Sequence, residues 1–154
     1  MEKTLIMIKP DAINRSLVGE VLHRFERKGF KIVGMKMTML KDKELEEHYA
    51  HLKDQPFFGR LVEFMKKTPT LLMVLEGGNV VDVCRKLAGP TYGVEAPAGT
   101  IRGDFSLSRQ NTIIHASENK ELAEKEIKMF FKPAEIFEYD KIDFEMIYSE
   151  EERE

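Results

Sequence analysis

T-I-R-G-D-F-S-L-S-R-Q-N-T-I-I-H-A-S-E-N-K-E-L-A-E-K-E, Thr100 to Glu126, holds a loop, a strand and a helix in one short span. Thr112-Ile113-Ile114 is an apolar, β-branched run that suits a buried strand ending at His115. Ser117 and Asn119 follow and can cap a helix whose apolar positions are Leu122, Ala123, Ile127, Phe130 and Phe131. His115 therefore stands at a strand-to-helix junction, where N–H groups and side chains converge on anions. Arg102 lies upstream in a glycine-containing loop and Glu126 downstream on the helix. A nucleophile, a cation and a carboxylate that can orient the nucleophile are all present. Alone, a histidine after apolar residues is more often packed than catalytic, so the rest of the chain decides.

Working back to the start, Thr4–Ile8 is apolar on both faces and reads as a central strand closed by Lys9-Pro10-Asp11. A lysine ending a buried strand either snorkels or works in a site. Leu17, Val21, Leu22 and Phe25 mark a helix capped by Gly29. A strand follows over 30–40, in which Met35, Met37 and Met39 read as core filler. Asp42 opens a charged helix with Leu45, Tyr49 and Leu52, and Pro56 opens another with Phe57, Phe58, Leu61, Val62 and Met65, so the two form a hairpin. Thr70–Glu76 is an apolar strand, and Val80, Val83, Cys84 and Leu87 mark the next helix. A long Gly/Pro-rich loop, Ala88 to Asp104, has the character of a functional segment. Residues 138–148 read as a strand or a packing arm, and the acidic tail as disordered at its tip. The order predicts one domain over 1–154 of the α+β class: a ferredoxin-like β-α-β-β-α-β core with the helical hairpin and long loop inserted. Its four-stranded antiparallel sheet is expected to carry helices on one face.

Composition narrows the function. The chain has 154 residues, enough for a sizeable core, and a net charge of −3 that disfavours a general nucleic-acid binder. Its lone cysteine, Cys84, sits among apolar residues, reads as a buried thiol and fits a reducing compartment. No apolar stretch is long enough to span a membrane, and the N-terminus lacks a signal-peptide layout; a cytoplasmic protein is expected. Glycine-cradle phosphate motifs are missing, and no Cys/His cluster has zinc spacing. His23, His48 and His51 lie in charged helical stretches and read as surface or rim residues. A phosphate site here must use side chains, and Lys9, Arg85, Thr91, Arg102 and His115 are available.

Several segments together resemble one family, the nucleoside diphosphate kinases. They are T-L-I-M-I-K-P-D at 4–11, H-Y-A-H-L-K-D-Q-P-F-F at 48–58, G-T-I-R-G-D-F at 99–105, I-I-H-A-S at 113–117 and A-E-K-E-I at 123–127. The resemblance covers nearly the whole chain, and the joint order is far more specific than any one piece. It implies transfer of the γ-phosphate of a nucleoside triphosphate, mainly ATP, to a nucleoside diphosphate through phosphorylated His115. By the same resemblance, Lys9 lies near the sugar hydroxyl and the transferred phosphate, and Arg85, Thr91 and Arg102 bind phosphates. Tyr49 supplies a phenol near the histidine, while Phe57, with Leu61 on the same helix, belongs to the nucleotide site and stacks the base. Ser117 and Glu126 stand behind the histidine. The resemblance also implies Mg²⁺ carried mainly by the nucleotide phosphates, without protein side-chain ligands, and a homo-oligomer, with a hexamer favoured. Two positions depart from the family: Thr112 stands where an asparagine is usual, with Asn111 one residue earlier, and Arg109 replaces a small apolar residue near the base. Either Thr112 or a bulged Asn111 then meets the sugar. The rival class is a ferredoxin-like interaction or nucleic-acid-binding module with secondary or no kinase activity.

The chemistry follows from the residues themselves. A neutral imidazole has one N–H and one lone pair. If Glu126 accepts the N–H, the other nitrogen is free to attack phosphorus without a general base. Arginine forks suit the phosphate oxygens, and stacking on a phenyl ring reads little base identity.

Overall fold

A computed structural model describes residues 1–153. Its centre is β1 (Glu2–Ile8), whose Leu5, Ile6, Met7 and Ile8 are all fully buried. A strand apolar on both faces must be covered on both, and this one lies between two others in a sheet of order β2-β3-β1-β4. Here β2 is Lys31–Thr38, β3 is Thr70–Gly77 and β4 is Ile114–Ala116, and every pairing is antiparallel. The α+β, ferredoxin-like order expected from the sequence is the one observed. Between the strands run α1 (Pro10–Asn14), α2 (Val18–Lys28), α3 (Asp42–His48), α4 (Phe58–Met65), α5 (Val80–Ala88) and α6 (Ile101–Phe105), and α7 (Lys120–Phe130) follows β4. A short α8 (Phe144–Ile147) lies near the end.

Helices cover both faces of the sheet, not one. Ile6, Ile8, Met73 and Leu75 pack against Val21 and Phe25 of α2 and Val80, Val81 and Cys84 of α5. Leu5, Met7, Leu72 and Val74 pack against Leu45 of α3, Leu61, Phe64 and Met65 of α4, and Phe130. The inserted hairpin thus supplies the second layer. Each large apolar side chain so buried contributes about 1.5–3 kcal/mol.

Sheet edges explain other departures from the expected pattern. Strand β2 slips register between Ile32 and Gly34, the mark of a bulge. Val33 and Gly34 are consequently both buried, and Met35 and Met37 turn outward, 41% and 57% exposed. Met39 is 49% exposed, so the three methionines are not core filler. The 138–148 segment is a packing arm without a strand: the Tyr139 hydroxyl donates to Ile32 O and the Tyr148 hydroxyl accepts from Gly78 N. The tail folds back onto the arm as far as Arg153, whose Nε donates to Tyr148 O at 3.0 Å; the tip, residue 154, lies outside the described residues.

Two of the caps fall where the sequence places them. Gly29 caps α2 at φ +102°, and Asn119 Oδ1 caps α7 by accepting from Leu122 N at 2.9 Å. Within the long loop, Thr100 caps α6: its Oγ1 accepts from Gly103 N at 3.0 Å. Arg102 is therefore held on a helical turn instead of an open loop. Among the described residues no helix is long and apolar enough to cross a membrane.

Candidate active site

The site gathers at the C-terminal end of β1, where the chain from 106 to 113 passes Lys9. Burial pushes the Lys9 ammonium from 10.5 down to about 8, with Asp11 opposing and Arg102 assisting the fall. Its Nζ donates to Gln110 O at 2.8 Å and Thr112 Oγ1 at 3.0 Å. Thr112 is buried, whereas Asn111 is exposed and joins its loop through backbone groups. Thr112, not Asn111, is the side chain that meets Lys9 here.

Strand β4 begins later than the β-branched run suggests, because Ile113 takes φ +68°. Such a backbone is exceptional for a β-branched residue. Ile114 N donates back to Thr112 O at 2.7 Å, closing a γ-turn. Asp11 Oδ2 accepts from Ile113 N at 2.9 Å, and Lys9 N donates to Ile113 O at 2.9 Å. Arg102 completes the clamp, donating to Thr112 O, Gly89 O and Ile114 O at 3.1, 2.8 and 2.8 Å. Burial and the nearby Arg85 both disfavour its charge, but a guanidinium remains protonated. Three of its donors are thus engaged with the backbone, and others remain available.

His115 lies within β4, opposite Met7, and its side chain is 24% exposed. Its Nε2 lies 3.0 Å and 3.1 Å from the two carboxylate oxygens of Glu126 on α7. Ser117 is not a helix cap; its Oγ donates to Glu126 Oε2 at 2.5 Å and accepts from Leu5 N at 3.3 Å. Burial would raise the Glu126 carboxyl, but hydrogen bonds from His115 and Ser117 outweigh it and hold the group below its usual range. An ionised Glu126 accepts only, so in the neutral imidazole Nε2 carries the proton and Nδ1 presents its lone pair.

His48 stands behind this pair. It is buried, edge-on to His115 with ring centroids 4.5 Å apart, which corrects its reading as a surface residue. Its place was visible in the spacing Leu45, His48, Tyr49, Leu52 on one helical face. Tyr49 packs edge-on to His48, and its phenol is raised above the ordinary range by burial and Glu126. Asp11 is the other group not singled out from the sequence, although it closes the Lys9-Pro10-Asp11 stretch. At the margins, Arg85 and Thr91 are exposed, Phe57 at the foot of α4 is 36% exposed, and Leu61 is buried in the hairpin core. Arg109 leaves the apolar pattern altogether, with its guanidinium 4.3 Å above the Tyr92 ring.

Comparison with known proteins matches the chain to a family. The family profile described as Nucleoside diphosphate kinase matches residues 2–136. The chain belongs to the nucleoside diphosphate kinase family. Membership makes it a nucleotide phosphotransferase. The nucleoside diphosphate kinase of Pyrococcus horikoshii is 54% identical over 142 residues, 90% of each chain. That of Parabacteroides distasonis is 48% identical over 152 residues, 99% of each. Among solved structures, the Halobacterium salinarum nucleoside diphosphate kinase in complex with CDP has a TM-score of 0.93 at 38% identity, covering 96% of this chain and 98% of its own. The Encephalitozoon cuniculi enzyme has a TM-score of 0.92 at 44% identity, covering 96% of this chain and 100% of its own.

Proposed function

We propose that this single-domain kinase works in two half-reactions through His115 Nδ1. The observation that carries the proposal is the bond from His115 Nε2 to Glu126, which turns Nδ1 away from the carboxylate and, in the neutral ring, leaves its lone pair free. In the first half-reaction the Nδ1 lone pair forms the N–P bond as the bond to the diphosphate oxygen breaks. The ring becomes a phosphorylated imidazolium, and Glu126 neutralises its charge. In the second, a terminal oxygen of another nucleoside diphosphate attacks the phosphorus and the N–P bond breaks. No proton moves to or from the attacking nitrogen, so the protein's work is alignment and charge compensation.

Arg102, Arg85 and Thr91 bind phosphate oxygens, and Tyr49 donates its hydroxyl beside the histidine. Lys9 and Thr112 meet the sugar hydroxyl and the transferred phosphate, while exposed Asn111 stays outside that contact. Phe57 stacks the base, with Leu61 packed behind it in the hairpin. Of the carboxylates here, Asp11 is committed to Ile113 and Glu126 to His115 and Ser117. This donor set fits Mg²⁺ held by nucleotide phosphates and water instead of a protein cage. When bound, the ion offsets charge on the phosphates during transfer.

The substrates are ATP and other nucleoside tri- and diphosphates. Outward-facing Met35 and Met37 on edge strand β2, with exposed Val94 in the long loop, support a homo-oligomer, for which a hexamer is the expected form. The buried free thiol of Cys84 suits a cytoplasmic setting. Incubation with γ-labelled ATP and no acceptor tests the mechanism. Acid-labile, base-stable label on His115 is the expected result, and His115→Ala must abolish both label and turnover. Label elsewhere, or none, refutes it.

A further inference from the structure

His48 is a buried polar group beside the nucleophile to which the transfer reaction gives no work. Its side chain is 2% exposed, and its Nδ1 has no hydrogen-bond partner. A buried, unpartnered nitrogen is costly enough to need an explanation. That nitrogen is 3.6 Å from Glu126 Oε1, which is itself 3.0 Å from His115 Nε2. Ligand atoms of all three residues lie within 4.8 Å of one another. Burial and the adjacent His115 hold His48 down to about 3, so its imidazole is the neutral form that ligates metals.

Two imidazoles and one carboxylate are a donor set that zinc favours. With zinc bonds near 2.0–2.2 Å, tetrahedral ligand atoms sit about 3.3–3.5 Å apart. The two measured edges, 3.0 and 3.6 Å, fall on either side of that spacing. Ser117 occupies Glu126 Oε2, which leaves Oε1 for a metal. We propose that His48 Nδ1, His115 Nε2 and Glu126 Oε1 form an inhibitory zinc site, with water as the fourth ligand.

Inhibition follows from proton placement. In the resting enzyme the His115 proton is on Nε2. Zinc needs the Nε2 lone pair, so the proton moves to Nδ1 and the neutral ring is retained. The nitrogen that attacks phosphorus is then protonated and its lone pair is gone. Mg²⁺ is a hard ion that prefers oxygen ligands and does not compete for this site. The inhibitory half of the proposal rests on His115 Nδ1 being the nucleophile; the binding half does not.

The experiment uses the full chain without nucleotide. Co²⁺ is titrated as a spectroscopic probe and then displaced by Zn²⁺, and imidazole ¹⁵N shifts are recorded with and without Zn²⁺. The expected results are one tetrahedral Co²⁺ per chain, displacement by Zn²⁺, and transfer of the His115 proton from Nε2 to Nδ1. His48→Gln, checked for folding by circular dichroism, should weaken zinc at least about tenfold. No tetrahedral Co²⁺, zinc affinity unaltered in folded His48→Gln, or an unchanged His115 tautomer overturns the site. Should His48→Gln fail to fold, the ¹⁵N shifts of the unaltered chain decide alone. Phosphoryl labelling from ATP should fall in proportion to bound zinc and recover on chelation, with excess Mg²⁺ present throughout. Zinc bound with the altered tautomer but undiminished labelling refutes the inhibitory half and the assignment of Nδ1, while leaving the site intact.

Discussion

Replacing Lys9 by methionine separates what the lysine does for catalysis from what it costs the fold. Its ammonium is buried at the end of β1, and its pKa falls from 10.5 to about 8. That depression places about 3 kcal/mol on the charged form at neutral pH. Between pH 8 and 10.5 the unfolded chain still holds the proton and the folded chain has released it. The unfolded state therefore binds more protons, and stability rises with pH at about 1.4 kcal/mol per pH unit through this window. Below pH 8 the full penalty is present; above 10.5 it is gone. Lys9→Met removes the titration entirely. It also leaves Gln110 O and Thr112 Oγ1 without a partner, at roughly 0.5–1.5 kcal/mol each, an offset that does not depend on pH.

The observable is the difference between the two proteins. Urea unfolding at pH 7.5 and pH 10.5 should show the unaltered chain gaining about 2–3 kcal/mol relative to Lys9→Met. Tyrosines and other lysines titrate in both and cancel. Activity gives the second readout: kcat/KM reports the free enzyme, so it should fall as pH rises through about 8. Lys9→Met should lose most turnover at every pH. Parallel stability profiles for the two proteins would refute the buried-cation argument, whatever the activity.

Asp11→Asn removes the one negative charge that raises the Lys9 pKa, so the alkaline limb of kcat/KM should move to lower pH; an unmoved limb contradicts the coupling. Glu126→Gln should cut phosphohistidine formation by at least about tenfold, measured by single-turnover labelling, because a charged hydrogen bond of roughly 1.5–3 kcal/mol to the imidazolium is lost. Thr112→Asn should preserve or raise kcat/KM, while Asn111→Ala should change it little; a large loss from Asn111→Ala at unchanged stability would overturn the assignment of Thr112 to the nucleotide. Leu72→Ala, between the sheet and the hairpin, should cost about 2–5 kcal/mol in urea unfolding.

Strand and helix order, the caps at Gly29 and Asn119, and the His115–Glu126–Ser117 set were legible because each rests on local spacing or on a motif. The second helical layer is not given by the element order, although a β1 apolar on both faces requires one. The methionines of β2 misled for a different reason. Alternation places them in the core only if the strand keeps register, and the bulge at Val33 is set by tertiary pairing with β3. For His48 two signals compete: exposed Glu46 and Glu47 give the helix its charged look. Spacing from Leu45 would have placed it inward, but only the fold brings α3 and β4 together. Positive φ at Ile113 had no signal at all, since a β-branched run argues for continued strand.

That kink explains why so many groups meet at one place. A residue held in this region costs about 1–3 kcal/mol, and it persists only where its surroundings over-determine it. Here Asp11 holds the Ile113 amide, Lys9 N holds its carbonyl, and Arg102 takes the carbonyls on either side. The same Lys9 and Arg102 are the cations proposed to meet the nucleotide. Turning the chain at Ile113 points Thr112 Oγ1 at Lys9 Nζ, then sets β4 in register so that His115 faces Glu126. Arg102 is thus committed to the backbone through three bonds before any phosphate arrives, which fixes its plane without using all its donors. A cation already immobilised gives up little side-chain freedom when the substrate binds, and this is the form in which local strain serves phosphoryl transfer.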